Sequence, residues 1–105
     1  MTTVSRRQKL ETMLEASPND QMLRYMLAME LDKESAHDRS LDLFQSLMND
    51  TPPYVPAFLM AGQLLVRLDR VEDAKATYRT GIAEAQEQGN DHAAGEMNGF
   101  LQELP

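Results

Sequence analysis

The feature that most constrains the fold of this chain is a repeat with a spacing of 34 residues. Residues of similar character recur at this spacing in five pairs: Ala28 and Gly62, Leu31 and Leu65, Ser40 and Ala74, Phe44 and Tyr78, and Met48 and Ile82. A fixed period of this length is typical of proteins built from similar units that stack and bury their apolar faces against one another. We therefore expect a solenoid made of short repeats.

The repeating unit is predicted to be helical. Apolar residues recur three and four positions apart, as they do on one face of an α-helix, and strand-like alternation is nearly absent. Polar or proline-containing segments separate these runs into six predicted helices, at residues 4–16, 20–33, 36–50, 55–68, 70–87 and 91–103. Because the connections are short, consecutive helices should be antiparallel neighbours.

Two of the predicted turns carry polar residues at matching positions. Ser35 precedes Asp38 by three residues, and Asp69 precedes Glu72 by the same distance. A short polar side chain can cap the free N–H groups that begin a helix, and an acid in the first turn interacts favourably with the helix dipole. We therefore expect Ser35 and Asp69 to cap the third and fifth helices.

The helix pairs and their period resemble the tetratricopeptide repeat (TPR) family, whose pattern runs W-x₂-L-G-x₂-Y, then A-x₃-F, then P. The second full repeat carries this pattern as Phe58, Ala61, Gly62, Leu65, Ala74 and Tyr78, with Gln86 in place of proline. The first carries it as Arg24, Leu27, Ala28, Leu31, Ser40, Phe44 and Pro52, with Arg24 in place of the aromatic residue. The resemblance implies an all-α fold, a right-handed solenoid of antiparallel helical hairpins with six helices.

The resemblance covers nearly the whole chain and implies one domain, residues 1–105. It divides this domain into the second helix of a truncated repeat at 4–16, full repeats at 21–54 and 55–88, and a capping helix at 91–104. The last helix fits the pattern only if two residues are inserted near Gly89. Ends that depart from the repeat are expected, because each end of a stack must cover exposed apolar surface.

Gly62 lies within the most apolar run of the chain, where glycine costs about 1 kcal/mol relative to alanine. The resemblance implies that a small residue is needed here, where the two helices of one repeat cross. Ala28 occupies the equivalent position of the first repeat. A large side chain at position 62 would hold the helices apart and leave voids. We therefore expect leucine at this position to destabilise the fold and alanine to be close to neutral or stabilising.

Residues that carry chemistry are sparse. The chain has no cysteine and only two histidines, His37 and His92, which argues against a transition-metal site. The sequence contains no EF-hand loop, no glycine-rich phosphate loop and no G-x-S-x-G motif. We expect no catalytic residues, no metal and no cofactor, and we therefore predict that the protein is not an enzyme.

Charge and hydropathy narrow the classes of partner. The net charge is −7, and residues 80–105 contain no lysine or arginine, which argues against binding to nucleic acid. No apolar run approaches the ~20 residues that a membrane span requires. The N-terminal segment also lacks the apolar core of a signal peptide. We therefore expect no membrane partner and a cytoplasmic location.

The resemblance further implies an interaction scaffold. In the TPR family the first helices of successive repeats line a concave groove that receives a peptide or a partner's helix. Carried over position by position, the groove residues are Met22, Tyr25, Met29, Leu59, Gln63, Val66 and Arg67, and the last helix would add His92, Gly95 and Gly99. Tyr25 and Met29 are expected to lie outside the core between helices. The family's carboxylate-clamp positions hold Tyr25, Met29 and Met60, which argues against capture of chaperone C-termini.

These observations predict a scaffold that binds an unidentified protein or peptide in a mostly apolar groove. Two alternatives stay open: a structural unit that self-assembles into a homo-oligomer, and a non-catalytic regulatory subunit of a larger complex. The methionines of the second helix fit either the groove or the core, and Met26 fits the core better. Gly95 and Gly99 could permit the close approach of a neighbouring helix, a second copy or a peptide.

Overall fold

The computed structural model describes residues 4–105, so the first three residues of the predicted domain lie outside the described part. The described residues form six helices: α1 (Arg6–Ala16), α2 (Gln21–Lys33), α3 (His37–Met48), α4 (Val55–Arg67), α5 (Val71–Glu87) and α6 (Asp91–Glu103). Each end lies within two residues of its predicted position. No strand occurs in the described residues. The prediction of an all-α helical-repeat fold is confirmed.

The helices stack in chain order. Each packs against the next one along the sequence, from α1 against α2 to α5 against α6, and the molecule measures 49 × 29 × 19 Å. Helix α4 packs against α3 and α5 and also contacts α6. Its buried residues divide accordingly: Ala57, Ala61 and Leu64 join a cluster with α2 and α3, while Val55, Phe58 and Leu65 join a cluster with α5 and α6.

Three turns use a residue in the left-handed conformation: Ser35 with φ 63°, Asp69 with φ 61° and Gly89 with φ 75°. In each turn the next N–H donates to a carbonyl five residues back: Ala36 to Leu31 at 2.8 Å, Arg70 to Leu65 at 2.9 Å and Asn90 to Ala85 at 2.7 Å. This arrangement satisfies carbonyl groups that the end of a helix leaves without partners. Ser35 and Asp69 therefore end α2 and α4.

The expectation that Ser35 and Asp69 cap the following helices is wrong. The residues at the cap positions of α3 and α5 are Ala36 and Arg70, and neither makes a side-chain capping hydrogen bond. A residue with positive φ at the end of one helix cannot also present its side chain as the cap of the next. The predicted acids in the first turns are confirmed, since α3 has Asp38 there and α5 begins with two acids after Val71.

The close crossing at Gly62 is confirmed. A Cβ atom added to Gly62 would lie 2.5 Å from Tyr78 Cζ, closer than real Cβ atoms approach a ring, and Tyr78 is only 1% exposed. On the equivalent crossing of the first repeat, Ser40 is fully buried and its hydroxyl donates to the Ala28 carbonyl oxygen at 2.7 Å. This geometry argues against the expectation that alanine is close to neutral or stabilising at position 62, because a buried ring occupies the space that the methyl group needs.

A second glycine crossing lies at Gly81, which the sequence analysis does not single out. A Cβ atom there would lie 2.5 Å from Phe58 Cβ and 2.6 Å from Met97 Sδ. Gly81 therefore lets α5 approach α4 and α6 at the same point. The contact involves residues from three different helices, so no single run of sequence indicates it.

Arg24, which replaces the aromatic residue of the repeat pattern, forms a polar cluster between α2 and the end of α3. Its side chain is 12% exposed and binds the Asp50 carboxylate, the Ser46 hydroxyl at 3.2 Å and the Asn19 carbonyl oxygen at 3.1 Å. Hydrogen bonds from Arg24 and then Gln21 hold the pKa of Asp50 below its ordinary value. A charged pair thus joins helices where the family pattern uses aromatic packing.

Candidate functional site

An ion pair joins α2 and α4 on one side of the molecule. Arg67 Nη2 donates to Asp32 Oδ2 at 2.6 Å, and Nη1 donates to Oδ1 at 3.3 Å. Residues three or four positions apart share a face of a helix, so Met29 lies one turn before Asp32 and Gln63 one turn before Arg67. The ion pair therefore places predicted groove residues of the two helices on the same side.

The predicted residues of α2 differ in their surroundings. Met22 is 61% exposed and Met29 is 37% exposed, so both present their side chains to solvent. Met26 is half-buried and packs against the cluster of Leu10, Leu27 and Leu31, which confirms the core interpretation for this methionine.

Tyr25 packs more deeply than expected. Its ring lies 6.1 Å from the ring of Phe44, edge to face, and 5.3 Å from the ring of Tyr54, measured between centroids. Burial, followed by the nearby Tyr54, raises the pKa of Tyr25. The expectation that Tyr25 lies outside the core is wrong, because two aromatic rings from α3 and the segment before α4 pack against it.

The predicted residues of α4 also divide into two groups. Leu59 is half-buried and packs against the cluster of α4, α5 and α6. Gln63, Val66 and Arg67 line a cleft of about 410 Å³ between α4 and α6. The structure thus brings three of the predicted groove residues into one concave site.

The other walls of this α4–α6 cleft come from residues that the sequence analysis did not assign to the groove: Tyr78, Phe100, Glu103 and Leu104. Phe100 is 37% exposed and stacks on Tyr78, with the ring centroids 6.2 Å apart and an angle of 16° between the planes. The cleft has apolar walls with a few polar groups beside them, a combination that is typical of binding sites of this size. Phe100 could have been noticed as the sole aromatic residue of its helix.

The residues predicted for the groove on α6 do not line this cleft. The His92 side chain is 89% exposed, and its Nε2 atom lies 3.3 Å from Glu96 Oε1. A Cβ atom added to Gly95 or Gly99 would meet nothing within 4 Å. The suggestion that these glycines permit close packing within the described chain is therefore wrong, since both lie on open surface.

Two structural features are absent from residues 4–105. No helix in this part of the chain is both long enough and apolar enough to cross a membrane. Within the same residues, no group of three or more histidine, aspartate or glutamate side chains is arranged to hold a metal ion.

Solved structures resemble the chain along most of its length. A solution structure of a tetratricopeptide repeat domain protein from Salinibacter ruber is 38% identical, with a TM-score of 0.76 over 81% of this chain and 86% of that one. A crystal structure of a tetratricopeptide repeat domain protein from the same organism is 37% identical, with a TM-score of 0.72 over 80% and 93%. A protein from Bordetella parapertussis is 23% identical, with a TM-score of 0.79 over 95% and 87%, and shows the fold alone.

No protein-family model and no curated protein matches the chain. The stacked antiparallel helices and the close crossing at Gly62 define an all-α helical-repeat protein. These features, together with the similarity to the two Salinibacter ruber structures, show that the chain belongs to the tetratricopeptide repeat family. Its general role is that of a protein–protein interaction module.

Proposed function

We propose that this protein binds a peptide or a single helix of a partner protein along the side formed by α2, α4 and α6. The proposed surface, here called the concave surface, consists of Met22, Met29, Gln63, Val66, Arg67 and Phe100. Binding rather than catalysis is the proposed role.

The observation that carries this proposal is the exposure of large apolar side chains on two of these helices. Met22, Met29 and Phe100 are 61%, 37% and 37% exposed, and Phe100 lines the α4–α6 cleft. Apolar side chains that are grouped on a surface commonly mark interaction sites. Methionine suits such a surface because its unbranched side chain adapts to different partners.

The polar groups of the concave surface indicate the chemistry of the partner. Arg67 is already paired with Asp32, so its charge is largely compensated within the chain. The Gln63 amide can donate and accept a hydrogen bond beside the apolar cleft. An amphipathic helix or a short apolar peptide with one or two polar groups therefore fits this surface better than a highly charged segment.

The test is the double substitution Met22→Ser and Met29→Ser. Both side chains are exposed, so the variant should keep its helical circular dichroism while it loses about tenfold or more in affinity for the partner. The matched control is Val4→Ser with Met13→Ser. Val4 lies just before α1 and is 48% exposed, and Met13 lies within α1 and is 52% exposed. Affinity capture from the native cell with quantitative mass spectrometry would identify the partner, and titration would then measure each affinity.

Full-strength capture by the Met22 and Met29 variant would refute the proposal. Sedimentation velocity separates the proposal from self-assembly. A stable dimer that dissociates on these two substitutions would show that the concave surface is an interface between copies of the chain. Tyr25 is left unchanged in this test because its ring packs against Phe44 and Tyr54.

A further inference from the structure

A second long depression lies between α3 and α5, which both pack against α4. Its larger part has a volume of about 460 Å³ and is lined from α4 by Ala61 and Leu65. A smaller part of about 200 Å³ continues from it, and the two parts share Gln45, Met48, Ala76 and Thr77. Together they form one continuous depression, here called the α3–α5 valley.

The α3–α5 valley faces away from the concave surface. Successive residues of an α-helix are separated by about 100°, so residues two positions apart point in nearly opposite directions. Gln63, which lines the α4–α6 cleft, lies two positions from both Ala61 and Leu65. Helix α4 therefore contributes opposite faces to the two surfaces.

The valley has a charged end and an uncharged end. Asp38, Asp42 and Asp73 line it where α3 and α5 begin, together with Arg70. Arg70 pairs with Asp73 at 2.9 Å, whereas within residues 4–105 Asp38 and Asp42 form no salt bridge. Two negative charges are thus left uncompensated at this end.

The other end of the valley carries no charged side chain among its lining residues, which include Asn49, Thr77 and Thr80. Leu41 and Met48 lie between the two ends on α3. The distance from Asp38 to Asn49 along the helix is about 16 Å, which corresponds to roughly three turns of a bound helix.

Helix stability does not account for both carboxylates. Asp38 lies in the first turn of α3, where the helix dipole stabilises an acid. Asp42 is the sixth residue of the helix, beyond the turn over which that effect acts. Its exposed carboxylate lines the valley beside Leu41 without a cationic partner in the described chain.

We propose that the α3–α5 valley binds a cationic amphipathic helix of a partner protein. A lysine or arginine of this helix lies against Asp38 and Asp42, and its apolar side chains lie over Leu41 and Met48. The uneven charge sets the direction of the bound helix, because its basic end has a favourable position at one end of the valley only.

The test uses two synthetic peptides of about 12 residues, long enough for roughly three helical turns. One has leucines on one face and two lysines at one end, and the other has glutamates in place of the lysines. With the isotope-labelled full chain, the lysine peptide should shift the NMR amide signals of residues 38–49 and 70–80. The glutamate peptide should bind more weakly by tenfold or more, because like charges would meet at the rim.

Substitution of the two carboxylates tests the charge directly. Asp38→Asn with Asp42→Asn should weaken the lysine peptide about fivefold, as expected for the loss of two exposed ion pairs. The matched control, Glu15→Gln with Glu87→Gln, changes the net charge equally and should leave the affinity unchanged. Gln45→Lys places a positive charge on an exposed residue that both parts of the valley share, and it should weaken the lysine peptide further.

The proposal is overturned if the lysine peptide does not bind at about millimolar concentration, or if the asparagine variant binds it equally well. Amide shifts confined to residues 63–67 would place the peptide on the concave surface and would also overturn it. So would self-association that buries the valley against a second copy. The Met22 and Met29 variant should bind the lysine peptide normally, so the two proposals can fail independently.

Discussion

Gly62→Ala is the prediction that most directly tests the helix crossing. In an ordinary helix interior this substitution stabilises by about 1 kcal/mol, because alanine restricts the unfolded chain and favours the helix. Here the new methyl carbon would lie 2.5 Å from Tyr78 Cζ and within 3 Å of two further ring carbons. Carbon atoms pack best at about 3.5–4.0 Å, so the ring or the helix must move by about 1 Å.

The structure leaves little room for such movement. Tyr78 is 1% exposed, and its ring stacks on that of Phe100. Overpacking in a core costs about 1–3 kcal/mol. The gain in helix propensity offsets about 1 kcal/mol of this overpacking cost. We therefore expect a net destabilisation of about 1 kcal/mol and a melting temperature lower by roughly 5 °C. Gly62→Leu should destabilise considerably more.

The assay is urea unfolding followed by circular dichroism, with thermal melting as a second measurement. The chain provides internal controls at Gly95 and Gly99, which lie within α6 with no atom within 4 Å of an added Cβ. Alanine at either position should stabilise by up to about 1 kcal/mol. If Gly62→Ala instead raises the unfolding free energy as the α6 variants do, the tight crossing against Tyr78 is refuted.

Two further predictions concern the ends of the stack and its polar cluster. Deleting residues 1–17 should expose the side of α2 that covers Leu10, lower the unfolding free energy by at least about 1.5 kcal/mol and promote aggregation. A truncated chain with unchanged melting and solubility would argue against our proposal that residues 4–16 are the second helix of a truncated repeat. The Arg24–Asp50 pair should stabilise the fold above about pH 4, where Asp50 is ionised in both the folded and the unfolded chain. This contribution should disappear as the pH falls through the pKa of Asp50 in the folded chain, which is lower than in the unfolded chain. Asp50→Asn should therefore flatten the acid limb of the stability curve, and an unchanged limb would contradict the assignment.

Local patterns in the sequence determined the helices and their order. The helix ends agree with prediction because both signals are local in sequence. Each helix has its own periodic spacing of apolar residues, and polar or proline-containing turns interrupt that spacing. The resemblance to the tetratricopeptide repeat family, which the 34-residue spacing supports, also implied a close crossing at Gly62. These properties depend on residue type and spacing, which can be read without coordinates. The division into truncated, full and capping repeats stays a proposal.

Distances between side chains remote in sequence were decided only by the tertiary structure. Whether a methyl group fits at Gly62 depends on the ring of Tyr78, which lies on the next helix. Tyr25 is half-buried against rings from two other segments, and Phe100 lines the α4–α6 cleft, where it stacks on Tyr78. Periodicity specifies which face of a helix points inward, but the separation of two faces is set jointly by all the side chains between them.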